Sequence, residues 1–169
     1  MLYSPLLHVV LYEPQIPPNT GNIGRTCVAA GAKLWLVKPL GFDVSEKARR
    51  RAGLDYWEHL EWELLDDWPA ATQRLAEPLT RKRAWFFSKK ATRCYTEVEY
   101  RPGDMLVFGS ETSGLPAEIL DLHGDNSLRV PMREEVRSLN LSATVAIAVY
   151  EALRQIGDGS VNLSNKTTP

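Results

Sequence analysis

Short runs of consecutive apolar residues alternate along the chain with longer segments in which apolar residues recur at helical spacing. The runs are rich in β-branched and aromatic residues and have the length of buried strands. Strands that alternate with helices indicate an α/β fold, in which a mostly parallel sheet carries helices on both faces. We predict strands at Leu7–Leu11, Leu34–Val37, Ala84–Phe87, Met105–Phe108 and Leu128–Val130, and a short strand near Trp57.

The segments between these strands predict helices. The first begins at Asn19, an N-cap residue after Pro17-Pro18, and ends at Gly31, which suits a C-terminal cap. The last is apolar nearly all round between Leu141 and Tyr150, which indicates burial against the sheet on one side and a second subunit on the other. We therefore expect a homodimer. The remaining helices are predicted at Asp66–Glu77 and Pro116–Leu122, and the last spans Asn140–Gln155.

Length and composition indicate a single domain. The chain has 169 residues, of which 44% are hydrophobic and 24% charged, so it is neither disordered nor collagen-like. We expect residues 1–157 to form the domain and the polar residues 158–169 to be a loose tail. There is no run of ~20 apolar residues and no secretory leader pattern, and the two cysteines lack metal or redox spacing. We expect a cytoplasmic protein that binds no membrane.

Charge is balanced over the whole chain but uneven along it. Lys and Arg number 20 and Asp and Glu 21, so net charge gives no indication of a nucleic-acid partner. The segment Arg81–Arg93 nevertheless carries six basic residues and no acidic one, and Lys47 is followed by Arg49, Arg50 and Arg51. Either run could bind phosphates or form a solvated face.

Three segments rich in Gly, Asn, Ser and Pro follow predicted strands, where open α/β sheets bind ligands. They are Pro14–Arg25, Phe108–Pro116 and Val130–Asn140. The glycines of the first segment allow close approach of a ligand or tight packing of a helix. Arg25 could form a surface ion pair, and Glu111 could clamp backbone amides or bind a cationic partner.

The absence of several motifs disfavours metal-dependent and hydrolytic chemistry. The three histidines are scattered, which disfavours a metal triad or a Ser/His/Asp arrangement, and His8 lies in an apolar strand, as a core side chain does. Gly21 and Gly24 supply only two glycines of a dinucleotide fingerprint, so a dinucleotide-binding oxidoreductase is disfavoured.

Taken together, the three segments resemble the motifs of the SpoU branch of the SPOUT RNA methyltransferases. The matching stretches are Asn19–Arg25, Phe108–Pro116 and Ser138–Ser142. More narrowly, Leu11–Ile23 and the Arg50–Tyr56 run resemble the TrmL-like tRNA 2'-O-methyltransferases, which act on the wobble nucleotide, a cytidine or modified uridine. The resemblance implies an α/β domain with a C-terminal trefoil knot, S-adenosyl-L-methionine as cofactor, no metal, and a homodimer whose active site is shared between subunits.

The resemblance also assigns roles to individual residues. It implies catalytic functions for Arg25, Asn19, Glu111 and Asn140. The basic residues Arg49, Arg50, Arg51, Lys89 and Lys90 are the candidates for RNA binding. A ribosomal RNA methyltransferase and a non-catalytic RNA-binding knot protein are the alternatives. The implied cofactor contacts are Phe87, Gly109, Val130 and Ser138, with Leu115, Met132 and Leu139 beside them.

Two expectations concern the chemistry of these residues. We expect position 109 to require glycine, because a side chain there would occupy the space where the ligand meets the backbone. Arg25 holds the central position of the first motif, either as the base that takes the hydroxyl proton or as a group that binds phosphate and polarises the hydroxyl. A guanidinium keeps its proton in proteins, so the second role is at least as well supported as the first.

Overall fold

The computed structural model describes residues 5–51 and 54–157, with the side chains of residues 49–51 excepted. Its centre is a seven-stranded sheet in the order β3-β2-β1-β6-β4-β7-β5, in which every neighbouring pair of strands is parallel. The strands are β1 Leu7–Tyr12, β2 Lys33–Val37, β3 Trp62–Leu65, β4 Ala84–Phe87, β5 Arg93–Cys94, β6 Asp104–Phe108 and β7 Ser127–Arg129.

Helices cover both faces of the sheet, as predicted. One apolar core lies between the sheet and the first and last helices, and a second core lies on the opposite face, where Ala71, Leu75 and Ile119 pack. Strands β4 and β6 are buried along their whole length, which explains their unbroken apolar sequence. The helices are α1 Pro17–Ala30, α2 Glu46–Arg51, α3 Trp68–Arg74, α4 Ala76–Thr80, α5 Ala117–Leu122 and α6 Leu141–Ile156.

The start of α1 differs from the prediction. Asn19 is not the N-cap, because the helix already begins at Pro17 and its N-cap is Ile16, which makes no side-chain capping bond. Proline fits the first helical position since its missing N–H would have no partner there. The predicted end is confirmed: Gly31 adopts a left-handed φ of 67° and caps the helix.

Two further predictions were wrong in detail. The predicted helix over Asp66–Glu77 is two helices that meet at Leu75, because the Pro78 ring would clash with a continuous helix one turn earlier. Trp57 lies in a 3-10 helix, Asp55–His59, and the strand comes later, at Trp62. Helix α2 and the two-residue strand β5 were not predicted.

The last helix packs against α1 and the sheet and leaves one apolar stripe uncovered. Val145, Ala148 and Val149 are fully buried, whereas Ile147 is 36% and Tyr150 54% exposed. The knot and the homodimer stay predictions, and the predicted tail at 158–169 lies outside the described residues. Among the described residues, no helix is both long and apolar enough to cross a bilayer.

Candidate active site at the carboxyl edge of the sheet

A cavity of about 560 Å³ opens where β4, β6 and β7 end. This edge is where parallel α/β sheets place their ligand sites, and the volume lies within the ~300–1,000 Å³ of small-molecule pockets. All the residues predicted to contact the cofactor line this one cavity: Phe87, Gly109, Leu115, Val130, Met132, Ser138 and Leu139.

The cavity has an apolar floor and a polar rim. Phe87 and Phe108 stack with ring centroids 4.6 Å apart, and Leu128 of β7 pairs in register with Phe87. On the rim, the Ser110 and Ser113 hydroxyls are 2.7 Å apart. An apolar surface beside a few fixed polar groups suits a ligand that carries a flat ring and a polar chain.

The need for glycine at position 109 has a different cause from the expected one. A Cβ atom on Gly109 would overlap the backbone of Gly114 and Leu115, because the loop after β6 folds back on itself. The Gly114 N–H donates to the Ser110 carbonyl at 3.0 Å, which closes that turn, and Gly114 has a left-handed φ of 70°. Gly109 therefore lines the cavity, but the chain's own backbone, rather than a ligand, excludes a side chain there.

A hydrogen-bonded chain joins the three motif segments. The Asn19 amide donates to the Glu111 carboxylate at 3.1 Å, and the Asn140 amide donates to the Asn19 side-chain oxygen at 2.9 Å. Asn19 is only 6% exposed. Three predicted catalytic residues that are far apart in sequence therefore meet in space.

Glu111 acts as a backbone clamp. Its carboxylate accepts the backbone N–H groups of Gln15 at 2.8 Å and Ile16 at 3.1 Å, immediately before α1. These bonds fix the backbone just before the helix, and they place a negative charge near its positive end. Of the two interpretations left open by the sequence, the structure supports the clamp.

Asn140 has two functions in the structure. Its side-chain oxygen caps α6 by accepting the Ser142 N–H at 2.8 Å and the Ala143 N–H at 3.3 Å, while its amide binds Asn19. Helix capping thus accounts for Asn140, whereas Ser138 is exposed and faces the cavity.

Arg25 does not line the cavity of its own chain. It lies six residues after Asn19, which turns it by about 120° around the helix, and it is exposed. Its guanidinium carbon is 4.7 Å from the centre of the Tyr56 ring. Within one chain Arg25 therefore stands apart from the cavity, because the rotation of α1 sends Asn19 and Arg25 in different directions, and the predicted sharing of the site between subunits stays a prediction.

The glycines of the first motif serve helix packing. A Cβ on Gly24 would lie 2.8 Å from Cζ3 of Trp57, and one on Gly21 would lie 3.4 Å from Leu54. The segment 54–60 thus packs directly on α1. No bound ligand is needed to explain these glycines.

The basic runs separate into distinct groups. Lys89 and Lys90 lie at the cavity, and the Lys89 ammonium is 3.4 Å from the Arg137 carbonyl. Arg83, by contrast, is held in an ion pair with Asp104. The side chains of Arg49, Arg50 and Arg51 lie outside the described residues, so their role as RNA contacts stays a prediction.

Sequence reasoning missed several residues at the site. Arg137, Ser110 and Ser113 line the cavity, and Tyr56 contacts Arg25. Arg137, Ser110 and Ser113 lie inside segments that were predicted to form the site. The sequence did not indicate which residues of those segments line the cavity. Tyr56 was part of a resembling run, but no signal in the sequence linked it to Arg25.

The model of the SpoU rRNA Methylase family matches residues 6–150. The chain belongs to the SpoU methylase family. A SpoU relative from Saccharophagus degradans (strain 2-40), named tRNA (cytidine(34)-2'-O)-methyltransferase, is 47% identical over 153 residues, which are 90% of this chain and 97% of the relative.

Solved structures agree with this assignment to the SpoU family. One, described as giving structural insights into the 2-OH methylation of C/U34 on tRNA, is 44% identical with a TM-score of 0.80 and covers 89% of this chain and 96% of its own. Another, an AdoMet-bound rRNA methyltransferase from Sinorhizobium meliloti, is 26% identical with a TM-score of 0.72 and covers 90% of this chain and 60% of its own.

Proposed function

We propose that the protein transfers a methyl group from S-adenosylmethionine to the ribose 2'-hydroxyl of nucleotide 34 in tRNA. The observation that carries this proposal is the hydrogen-bonded convergence of Asn19, Glu111 and Asn140 beside the cavity. The position within tRNA comes from relatives named for cytidine 34, which match 90% of this chain at 45–47% identity.

The residues of the cavity fit S-adenosylmethionine. The stacked Phe87 and Phe108 provide an apolar surface for the adenine, and the rim hydroxyls of Ser110, Ser113 and Ser138 suit its ribose and amino-acid groups. When bound, this cofactor supplies a methyl group already activated by the adjacent sulfonium. We propose no metal, since alignment and loss of the hydroxyl proton are the only remaining requirements.

The Asn19–Glu111–Asn140 chain positions the elements around the reaction. Glu111 fixes the start of α1, and Asn140 fixes the start of α6. Because these helices pack against each other, this hydrogen-bond network also sets how α1, which carries Arg25, is oriented relative to the cavity wall. Of the three, Asn19 is the most buried, so its role is to link the other two.

Arg25 is proposed to act in the active site of a second copy of the chain. Its side chain is exposed on α1, and α1 packs on α6, whose Ile147 and Tyr150 form the uncovered apolar stripe. Association of two copies through this surface would bury the stripe and bring Arg25 to the partner's cavity. A protonated guanidinium there binds a phosphate and polarises the 2'-hydroxyl.

The site also suits a polyanionic substrate. Lys89, Lys90 and Arg137 lie around the cavity, where their charges can contact RNA phosphates. We further propose that the chain forms the trefoil knot of its family and functions in the cytoplasm.

The decisive assay incubates the purified protein with S-adenosylmethionine and, in separate reactions, total tRNA or ribosomal RNA from cells that lack the protein. Ribose methylation is then mapped by its resistance to alkaline cleavage. We expect one methylated nucleotide, at position 34. Methylation of ribosomal RNA alone, or RNA binding without any transfer, would contradict the proposal.

A further inference from the structure

Arg25 rests on an aromatic platform that the three motifs do not supply. The guanidinium carbon lies 4.7 Å from the Tyr56 ring centre, within the ~6 Å typical of a cation–π contact. The Tyr56 hydroxyl donates a hydrogen bond to the Gly21 carbonyl, one turn before Arg25 on the same helix. The ring is thus tied to the helix that carries the cation above it.

The segment around Tyr56 is anchored on both sides. Leu54 packs near Gly21, and Trp57 is 5% exposed and fits against Gly24. Since a Cβ on Gly24 would lie 2.8 Å from Trp57, the two elements are in close contact. This packing leaves the Tyr56 ring little freedom to move away from Arg25.

The Tyr56 ring is a direct contact of the Arg25 side chain. Within the part of the chain that the structure describes, no carboxylate forms an ion pair with Arg25. Burial raises the pKa of the Tyr56 hydroxyl, although Arg25 acts in the opposite direction. The hydroxyl therefore keeps its proton and its bond to Gly21 at neutral pH.

We propose that Tyr56 is a positioning residue, which holds the Arg25 guanidinium in one pose before RNA binds. This inference rests on the proposed function of Arg25. An exposed arginine loses rotamer freedom when it is fixed on a substrate, and a side chain already stacked on a rigid ring has lost part of that freedom beforehand. Tyr56 thus raises turnover through Arg25 without contacting the RNA or the cofactor.

The test compares Tyr56→Leu, which removes the ring face, with Tyr56→Phe, which keeps it. We expect Tyr56→Leu to lower kcat about tenfold and Tyr56→Phe to lower it less than about threefold, with total tRNA as substrate. The affinity for S-adenosylmethionine, measured by calorimetry, should change less than about twofold in both variants, since Tyr56 is outside the cavity. Tyr100→Phe is the matched control, because it also removes a hydroxyl that donates to a backbone carbonyl.

A double-mutant cycle separates positioning from a general structural effect. In an Arg25→Lys background, Tyr56→Leu should change kcat by less than about twofold, because the planar group that stacks on the ring is already gone. If Tyr56→Leu is unstable, Tyr56→Met keeps apolar volume against α1 and allows the same comparison.

Three results would overturn the inference: an unchanged kcat in Tyr56→Leu, the same tenfold loss in the Arg25→Lys background, or a parallel loss of cofactor affinity. Failure of the proposed function has another signature, because the wild-type protein would then transfer no methyl group to tRNA.

Discussion

Each of the two edges of the sheet carries a carboxylate that accepts several hydrogen bonds, but the two networks differ in burial and in what surrounds them. At the amino edge, Asp104 is 1% exposed and accepts two bonds from Arg83, at 2.7 and 2.6 Å, one from the Trp85 indole at 2.9 Å and one from the Arg101 N–H at 3.0 Å. At the carboxyl edge, Glu111 accepts backbone and amide donors, and its network ends at an open cavity.

The difference lies in what remains unpaired. At the amino edge, the carboxylate meets a guanidinium directly, so charge and hydrogen bonds are satisfied inside the protein. At the carboxyl edge, the side chains of Lys90, Arg137 and Ser138 line the cavity and, among the described residues, make no hydrogen bond or ion pair, so they are available for a ligand. A polar network therefore indicates a functional site when it lies beside a cavity whose lining includes polar groups without partners.

The largest effect on stability is expected from Asp104→Ala. Removing the carboxylate leaves Arg83 and the Trp85 indole without their acceptor, which should cost about 3–5 kcal/mol of the free energy of unfolding. Urea unfolding measures this loss. Methyl transfer per folded molecule should stay unchanged at low temperature, and a specific loss of transfer would remove the distinction between the two edges.

Glu111→Ala should affect both stability and activity. The variant leaves the Gln15 and Ile16 N–H groups and the Asn19 amide without an acceptor, at a cost of about 2–3 kcal/mol. Because α1 then loses its fixed start, kcat should fall more than tenfold. A loss of at least this size is typical when a hydrogen bond is removed from an active site. Glu77→Ala, which removes only an exposed ion pair, is the control and should change neither quantity measurably. Wild-type turnover in Glu111→Ala would contradict the role of the clamp.

Acid should destabilise the folded protein through His8, which lies near the amino edge of the sheet. Burial and the nearby charges of Lys33 and Arg74 lower the pKa of His8 to about 4, and its Nδ1 accepts the Trp35 indole N–H at 3.1 Å. Between pH 6.5 and 4 the unfolded chain binds a proton that the folded protein does not, so stability falls as pH falls. His8 should account for about 2 kcal/mol between pH 7 and pH 5.

The measurement for His8 is urea unfolding at both pH values in the wild type and in His8→Gln. Glutamine can accept the indole bond but does not titrate, so the variant should lose about 2 kcal/mol less than the wild type over this range. An identical loss in both proteins would show that His8 does not carry this pH dependence.

The smallest effect concerns the lysines at the cavity. If Lys90 contacts a phosphate, Lys90→Ala should reduce the slope of log Kd for tRNA against log salt by about 0.7–0.9. Lys82→Ala, which removes an exposed lysine that does not line this cavity, is the control and should leave the slope unchanged. A slope unaffected by Lys90→Ala would exclude this residue from RNA binding.

The sequence predicts the sheet better than the site. Strands β4 and β6 are unbroken apolar runs, and their ends place Phe87 and Gly109 at one edge without knowledge of tertiary contacts. The side-chain partners depend on details that no pattern contains. Asparagine is a common N-cap residue, but α1 already begins at the prolines before Asn19. The Asn19 side chain is therefore free to donate to Glu111.

Two other features could not be predicted from the sequence, for similar reasons. The direction of Arg25 follows from where α1 begins, which the prolines set, and from how the helix is rotated against segment 54–60, which packing between Gly24 and Trp57 sets. Asp104 looks like a loop residue in sequence, but its burial depends on Arg83, which is 21 positions away.

The central claim is that the cavity of one chain and Arg25 of another form one active site. Its most direct test mixes two inactive variants: Arg25→Ala, whose cavity is intact, and Val130→Trp, whose cavity is filled but whose Arg25 is intact. Each variant alone should fold and transfer no methyl group to tRNA. After the two are unfolded together and refolded, mixed dimers should recover measurable transfer, because the cavity of the first meets Arg25 of the second. No recovery, with mixed dimers confirmed by mass spectrometry, would contradict the account.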